Sequence, residues 1–171
     1  VTDAARTWPM LPASVGENFV ADRLRRTIAM SEPTRIGIAV VEHHGRFLVG
    51  RRGADASLAG KAEFPGGKAL PTESPAEAAR RECEEETGLP VRIAAAYPTH
   101  VEAYEHDTVE LHFFACELTQ PSDDPCPEPL PPFRWVTRAE LAELDFPSGN
   151  RHLLRFLTAA TQIRQATDSP S

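Results

Sequence analysis

Between Gly67 and Leu89 the chain sets glycine and charged residues at spacings that leave few ways to fold: Gly67, then Glu73, then Arg81-Glu82-Cys83-Glu84-Glu85-Glu86-Thr87-Gly88-Leu89. Ser74-Pro75-Ala76-Glu77 is a capping box with proline at the first helical position. Gly88 stands where a left-handed residue ends a helix. The segment is therefore expected to be one helix with its own start and stop. At about 100° per residue, Ala76, Ala79, Cys83 and Thr87 form a narrow stripe of small residues suited to packing on a sheet. Glu82, Glu85 and Glu86, at i, i+3 and i+4, fall beside that stripe, while Glu77, Arg80 and Glu84 fall on the far side. Arg81 precedes Glu85 by one turn and can hold its carboxylate.

Like charges one turn apart repel by roughly 0.2–0.5 kcal/mol per pair, so this flank needs something to offset the repulsion. A divalent cation does so. A solvated acidic face is the ordinary reading of a glutamate-rich helix, but the fixed frame of Gly67, Glu73 and Arg81 favours a metal site. All-oxygen ligation selects magnesium or manganese over zinc. Magnesium held by few carboxylates keeps positions for water and substrate phosphates, which points to phosphate chemistry.

Composition agrees with one compact enzyme domain: 171 residues, 41% hydrophobic, with no long apolar run. A net charge of -7 argues against a nucleic-acid polymer as partner, yet leaves room for a small-molecule nucleotide whose phosphates are met by metal and a few arginines. Cys83, Cys116 and Cys126, odd in number and without paired spacing, fit a reducing compartment. Neither a membrane span nor the basic start and apolar core of a signal peptide is visible, so a cytoplasmic location is the default expectation.

Residues 1–33 read as a leader with Phe19, Leu24 and Ile28 as apolar positions of a short helical pattern. The runs Ile36–Val41 and Phe47–Val49 flank Glu42-His43-His44-Gly45, a hairpin in which both histidines are turn residues. Val91–Tyr97 and Val109–Leu118 read as strands, the second central, with a polar stretch containing Glu102, Glu105, His106 and Asp107 between them. A proline-rich loop from Thr119 to Pro132 follows, then a strand Phe133–Val136, a short helix opened by the capping box Thr137-Arg138-Ala139-Glu140, and an amphipathic helix Asn150–Ile163. Residues 166–171 read as a disordered tail. This interleaving predicts one α/β domain over 34–165, a mixed β-sheet between helices in an α/β/α sandwich.

The box resembles the signature of the Nudix hydrolases, which cleave a nucleoside diphosphate linked to another group. Cys83 is its one departure, where the family has Leu, Ile or Val; a buried cysteine is a small hydrophobe, so local packing alone is touched. Phe47-Leu48-Val49-Gly50-Arg51-Arg52, Leu58-Ala59-Gly60-Lys61, Glu63-Phe64-Pro65-Gly66-Gly67-Lys68, Trp135-Val136 and Phe146-Pro147-Ser148-Gly149-Asn150 are similar to the MutT-type nucleoside triphosphate diphosphatases. The resemblance implies magnesium (or manganese) held by the Gly67 carbonyl and by Glu82, Glu85 and Glu86. It further implies purine reading by Asn150, nucleotide holding by Arg51 or Arg52, and hydrolysis of a substrate such as 8-oxo-dGTP to monophosphate and pyrophosphate. Glu82 is the implied base, with Glu128 an alternative base or further ligand, and Glu73 orients the box. Asn150 can equally be a plain helix cap, and Arg51 and Arg52 a solvated strand end. A pyrimidine nucleotide, ADP-ribose or a dinucleotide are alternative substrates. A catalytically silent nucleotide-binding module is the other class, against which the intact box argues.

Overall fold

The computed structural model describes residues 32–54, 58–103, 108–120 and 126–158. Phe19, Leu24 and Ile28 of the leader lie outside these, as do Glu105, His106, Asp107 and everything beyond residue 158, including Ile163 and the tail. In order, the elements are β1 (Thr34–His43), β2 (Arg46–Arg51), β3 (Ala62–Glu63), β4 (Gly66–Lys68), α1 (Pro75–Thr87), β5 (Val91–Ala96), β6 (His100–Ala103), β7 (Thr108–Leu118), β8 (Arg134–Thr137) and α2 (Arg138–Glu143). A 3-10 turn (Ser148–Asn150) then leads into α3, helical over residues 151–158.

The strands form one mixed sheet of order β3-β2-β1-β7-β5, with β4 on β1, β6 on β7 and β8 on β2. β1 and β7 are parallel, and their neighbours are antiparallel. Alternate residues of β1 feed two cores. Ile38 and Val40 pack with Phe47, Val49, Phe64, Phe113 and Leu153 on one face; Ala39 and Val41 pack with Leu48, Cys83, Val91 and Cys116 on the other. The second core is the one capped by α1, through Ala79 and Cys83, and the first lies under α2 and α3, through Leu141, Leu153 and Leu157. The expected sandwich follows from this two-sided burial.

His44 (φ 48°) and Gly45 (φ 71°) form the two-residue turn between β1 and β2, consecutive left-handed residues whose twist matches a hairpin. α1 lies close against β1 because Gly37 is bare: a Cβ there would stand 1.9 Å from the Pro75 carbonyl oxygen. Among the buried residues of α1 are Ala78, Ala79, Cys83 and Thr87, so Ala78 joins the stripe that was expected to include Ala76, which is half-buried.

Gly66 and Gly67 lie in β4, which pairs antiparallel with β1, and a Cβ on Gly66 would stand 2.4 Å from the Gly37 carbonyl oxygen. Two expectations need correcting. The polar stretch after β5 contains strand β6, hidden from periodicity because its half-buried positions, His100 and Glu102, are polar while Val101 and Ala103 face solvent. The final helix starts one residue later than expected, at Arg151, so Asn150 belongs to the 3-10 turn and not to the first position of α3.

Candidate active site

Helix α1 begins as its capping box dictates. Ser74 Oγ accepts from the Glu77 amide at 3.2 Å, and Glu77 Oε2 accepts from the Ser74 amide at 2.8 Å. The Ser74 hydroxyl, donating to Glu77 Oε2 at 2.7 Å, and then the Ser74 amide hold the Glu77 carboxyl below its ordinary range. Gly88, at φ 71°, ends the helix and donates to the Glu84 carbonyl at 2.9 Å. Cys83 is fully buried in the docking face, and burial pushes its thiol up to about 11, so it behaves as packing and not as a nucleophile.

On the neighbouring flank Arg81 is the hub. Its Nε and Nη2 donate to the two oxygens of Glu73 at 2.8 and 2.9 Å, a bidentate pair, and Nη1 donates to Glu82 at 2.7 Å and Glu85 at 3.1 Å. The i, i+4 pair with Glu85 is thus present but is the weaker part of a larger set. Glu73 also accepts from the Leu70 amide at 3.0 Å. The Arg81 bonds, helped by that amide, lower the Glu73 carboxyl to about 2, and the same carboxylates raise the guanidinium further above its already high range. The expected orienting role of Glu73 has its geometric basis here.

Glu86 faces the other way. Its Oε2 accepts from the Gly66 amide at 3.0 Å, and half-burial pushes its carboxyl up to about 7, with Glu63 and Glu82 adding to the rise. Glu63 is raised too, by burial first, while Arg52 pulls it down. Glu63 was missed in the sequence; its one signal is its place immediately before Phe64-Pro65-Gly66-Gly67. Gly67 touches the cluster directly: a Cβ there would stand 2.4 Å from the Glu82 carboxyl carbon and 2.5 Å from Oε1. The bare backbone of Gly67 is the cradle for that carboxylate.

As they stand, the three glutamates do not converge, since Glu82 and Glu85 turn to Arg81 and Glu86 to Gly66. Among the described residues no three His, Cys, Asp or Glu side chains are grouped so as to hold a metal ion. The donors nevertheless fit a hard divalent cation: they are all oxygen, and a half-buried Glu86 that resists ionisation is what a nearby cation would relieve. Glutamate side chains have the rotamer freedom to turn inward.

Arg51 and Arg52 part company. Arg52 Nε lies 3.5 Å from Glu63 Oε2 and is buried without a hydrogen-bond partner, beside the charge of Glu86. Arg51 lines a separate cavity with Val49, Ala62 and Arg134, to which no residue of α1 contributes. Asn150 is 9% exposed; its amide nitrogen and Nδ2 meet the Pro147 carbonyl at 3.0 and 3.5 Å, the second a long contact that leaves most of its hydrogen-bonding capacity unused. Ser148 beside it donates to Glu102 at 2.7 Å, so β6 carries a carboxylate to this turn. Glu128 is exposed and makes no hydrogen bond or ion pair with the described residues. Its loop is tied to β8 by Trp135 Nε1 to Pro127 at 2.7 Å and to the end of α1 by the Leu130 amide to Thr87 at 2.9 Å. All three cysteines are free, and among the described residues no helix is long and apolar enough to cross a membrane.

Comparison with known families matches residues 31–157 to the NUDIX domain. The 8-oxo-dGTP diphosphatase of Escherichia coli (strain K12) is 30% identical over 119 residues, covering 70% of this chain and 90% of that protein. The CTP pyrophosphohydrolase of the same organism is 34% identical over 74 residues, covering 43% of this chain and 55% of that protein. Among solved structures, the MutT protein from Methanosarcina mazei Go1 shares the fold with a TM-score of 0.61 at 22% identity, over 78% of this chain and 99% of that one. A sandwich with the carboxylate flank of α1 at one sheet face, matched over most of its length to that domain, is a Nudix hydrolase, and the chain belongs to this MutT-like family.

Proposed function

We propose that the protein hydrolyses a nucleoside triphosphate, of the 8-oxo-dGTP kind, to the monophosphate and pyrophosphate. The observation that carries this reading is the joint placement of the Arg81-braced Glu82 and Glu85 with Glu86, and beside Glu86 the guanidinium of Arg52, whose buried Nε lies 3.5 Å from Glu63 and makes no hydrogen bond. An unsatisfied buried donor is costly by about 1–3 kcal/mol, and a substrate phosphate oxygen would satisfy it. The relative that covers most of this chain acts on the proposed substrate, by its name.

Glu82, Glu85 and Glu86, with the Gly67 carbonyl, would hold magnesium or manganese. When bound, such a cation neutralises phosphate oxygens and acidifies a water. Arg81 keeps Glu82 and Glu85 oriented while Glu73 fixes Arg81 from behind. Glu82, backed by the Arg81 guanidinium, is the base assigned to take the proton from the attacking water. Arg52 holds a phosphate oxygen through Nε. Asn150, with donor and acceptor in one amide, reads the purine edge. Glu128 has no observation in its favour beyond its pinned loop.

A pyrimidine nucleotide is the second reading, favoured by the CTP pyrophosphohydrolase likeness. The deciding experiment measures magnesium-dependent kcat/KM for 8-oxo-dGTP, the ordinary triphosphates including CTP, ADP-ribose and dinucleotides, and identifies the phosphorus products. Preference for 8-oxo-dGTP with pyrophosphate release is expected. Preference for ADP-ribose, or turnover of no nucleotide, would sink the proposal.

A further inference from the structure

Val49 of β2 and Arg134 of β8 are cross-strand partners, and Arg51 lies two residues further along β2, on the same face. Arg51 and Arg134 are therefore diagonal neighbours, with Cα atoms about 7–8 Å apart. Both line a cavity of about 470 Å³ whose walls include Val49, Ala62, Pro132 and Leu144. Asp145 also lines it, and its carboxylate is engaged by Lys61, whose Nζ lies 2.9 Å from each of its oxygens. Arg134 has Glu140 Oε1 no nearer than 3.9 Å, and the other oxygen of Glu140 caps α2 through the Thr137 amide at 2.7 Å and hydroxyl at 2.9 Å. Arg51 makes no ion pair with any described residue. In a chain of net charge -7, two adjacent guanidinium groups, one without an ion pair among the described residues and the other with a carboxylate no nearer than 3.9 Å, face this cavity with capacity to spare.

We propose that this cavity is a second anion site, apart from the glutamate cluster, where a phosphate-type oxyanion is gripped between Arg51 and Arg134. Each planar guanidinium can offer paired donors to such an anion, and the apolar walls reduce screening by water. The inference does not rest on the proposed substrate, since the cavity is lined by none of Arg52, Asn150 and the glutamates of α1 to which that reading assigns roles. The anion is either free, as phosphate or pyrophosphate, or part of a nucleotide.

The test titrates the full-length chain in EDTA with inorganic phosphate, with pyrophosphate and with a nucleoside monophosphate, followed by residue-resolved amide NMR. Saturable shifts at Gly50, Arg51, Gly60 and Arg134 are expected. The dissociation constant should rise about tenfold with Arg51→Ala and with Arg134→Ala, and should hold with Arg92→Ala, on β5. Arg134 has a side chain 58% exposed, so Arg134→Gln serves as the variant that keeps the fold. Saturation by phosphate or pyrophosphate supports a free anion, and saturation by the nucleotide alone supports a nucleotide-borne one. Shifts confined to Gly66, Gly67 and Glu82–Glu86, a response that does not saturate, or unaltered affinity in both arginine variants would overturn the site.

Discussion

The acidic flank of α1 and the turn Ser148–Asn150 are built on different terms. The flank is interlocked: Arg81 bridges Glu73, Glu82 and Glu85, Glu86 takes the Gly66 amide, and both helix ends are capped. The turn is held more sparsely, by Ser148 on Glu102 and by Asn150 on Pro147. Groups that must meet a reacting phosphate need fixed positions, because misplacement is felt steeply in rate. Groups that choose among bases can sit on a lightly held turn, where substitution changes selectivity without disturbing the chemistry.

The widest gap between the two regions should appear in turnover. Glu85→Gln or Glu86→Gln is expected to lower kcat with magnesium about 10²–10³-fold while thermal unfolding shifts by only a few degrees; near-native turnover in either would break the assignment of the flank. Arg52→Ala comes next. It should raise KM for the nucleotide by about 10–100-fold with a smaller change in kcat, and an unchanged KM would return its buried Nε to a purely structural reading. Asn150→Ala is expected to leave kcat for the best substrate close to that of the parent while reducing its preference for oxidised over ordinary purine by about tenfold. An equal loss on every substrate would place Asn150 with the flank instead of the turn.

The smallest effect concerns pH. The Glu73 carboxyl, lowered to about 2 from an ordinary 4.5, binds its proton more weakly in the folded chain than in the unfolded one. Its stabilising share is therefore complete above about pH 4.5 and is lost as the pH falls through about 2. The unfolding temperature of the parent should exceed that of Glu73→Gln at neutral pH, and the difference should close across that acid window. A difference that stayed constant down to pH 2 would mean that the Arg81 bridge contributes nothing through ionisation.

How much of this was legible in the sequence follows the same division. Helix α1 could be read because cap, stop, docking stripe and chemistry all lie within one contiguous stretch, and each is a local signal. Strand β6 could not be, since the register that turns His100 and Glu102 inward is imposed by β7 and not by apolar alternation. Arg51 and Arg52 look equivalent on paper. Strand pairing alone sends one to Arg134 and the other to Glu63. Glu63 escaped notice because nothing in a two-residue strand advertises burial, and burial is what raises its carboxyl. Metal ligation, base reading and the general base are likewise outside what local pattern can fix, because they depend on side-chain rotamers that a bound ion or substrate would reset.

The parallel pairing of β1 with β7 has a consequence for biosynthesis. β1 receives β2 and β4 on one side early, but its opposite edge waits for β7, which follows α1, β5 and β6 along the chain. A nascent chain that has not yet made Cys116 carries Ile36, Ile38 and Val40 on a strand with an open edge, a template for wrong partners. Release of the polypeptide before that point should yield aggregated material rather than a smaller folded unit, so the enzyme is expected to depend on uninterrupted translation through β7 or on chaperone shelter until it is complete.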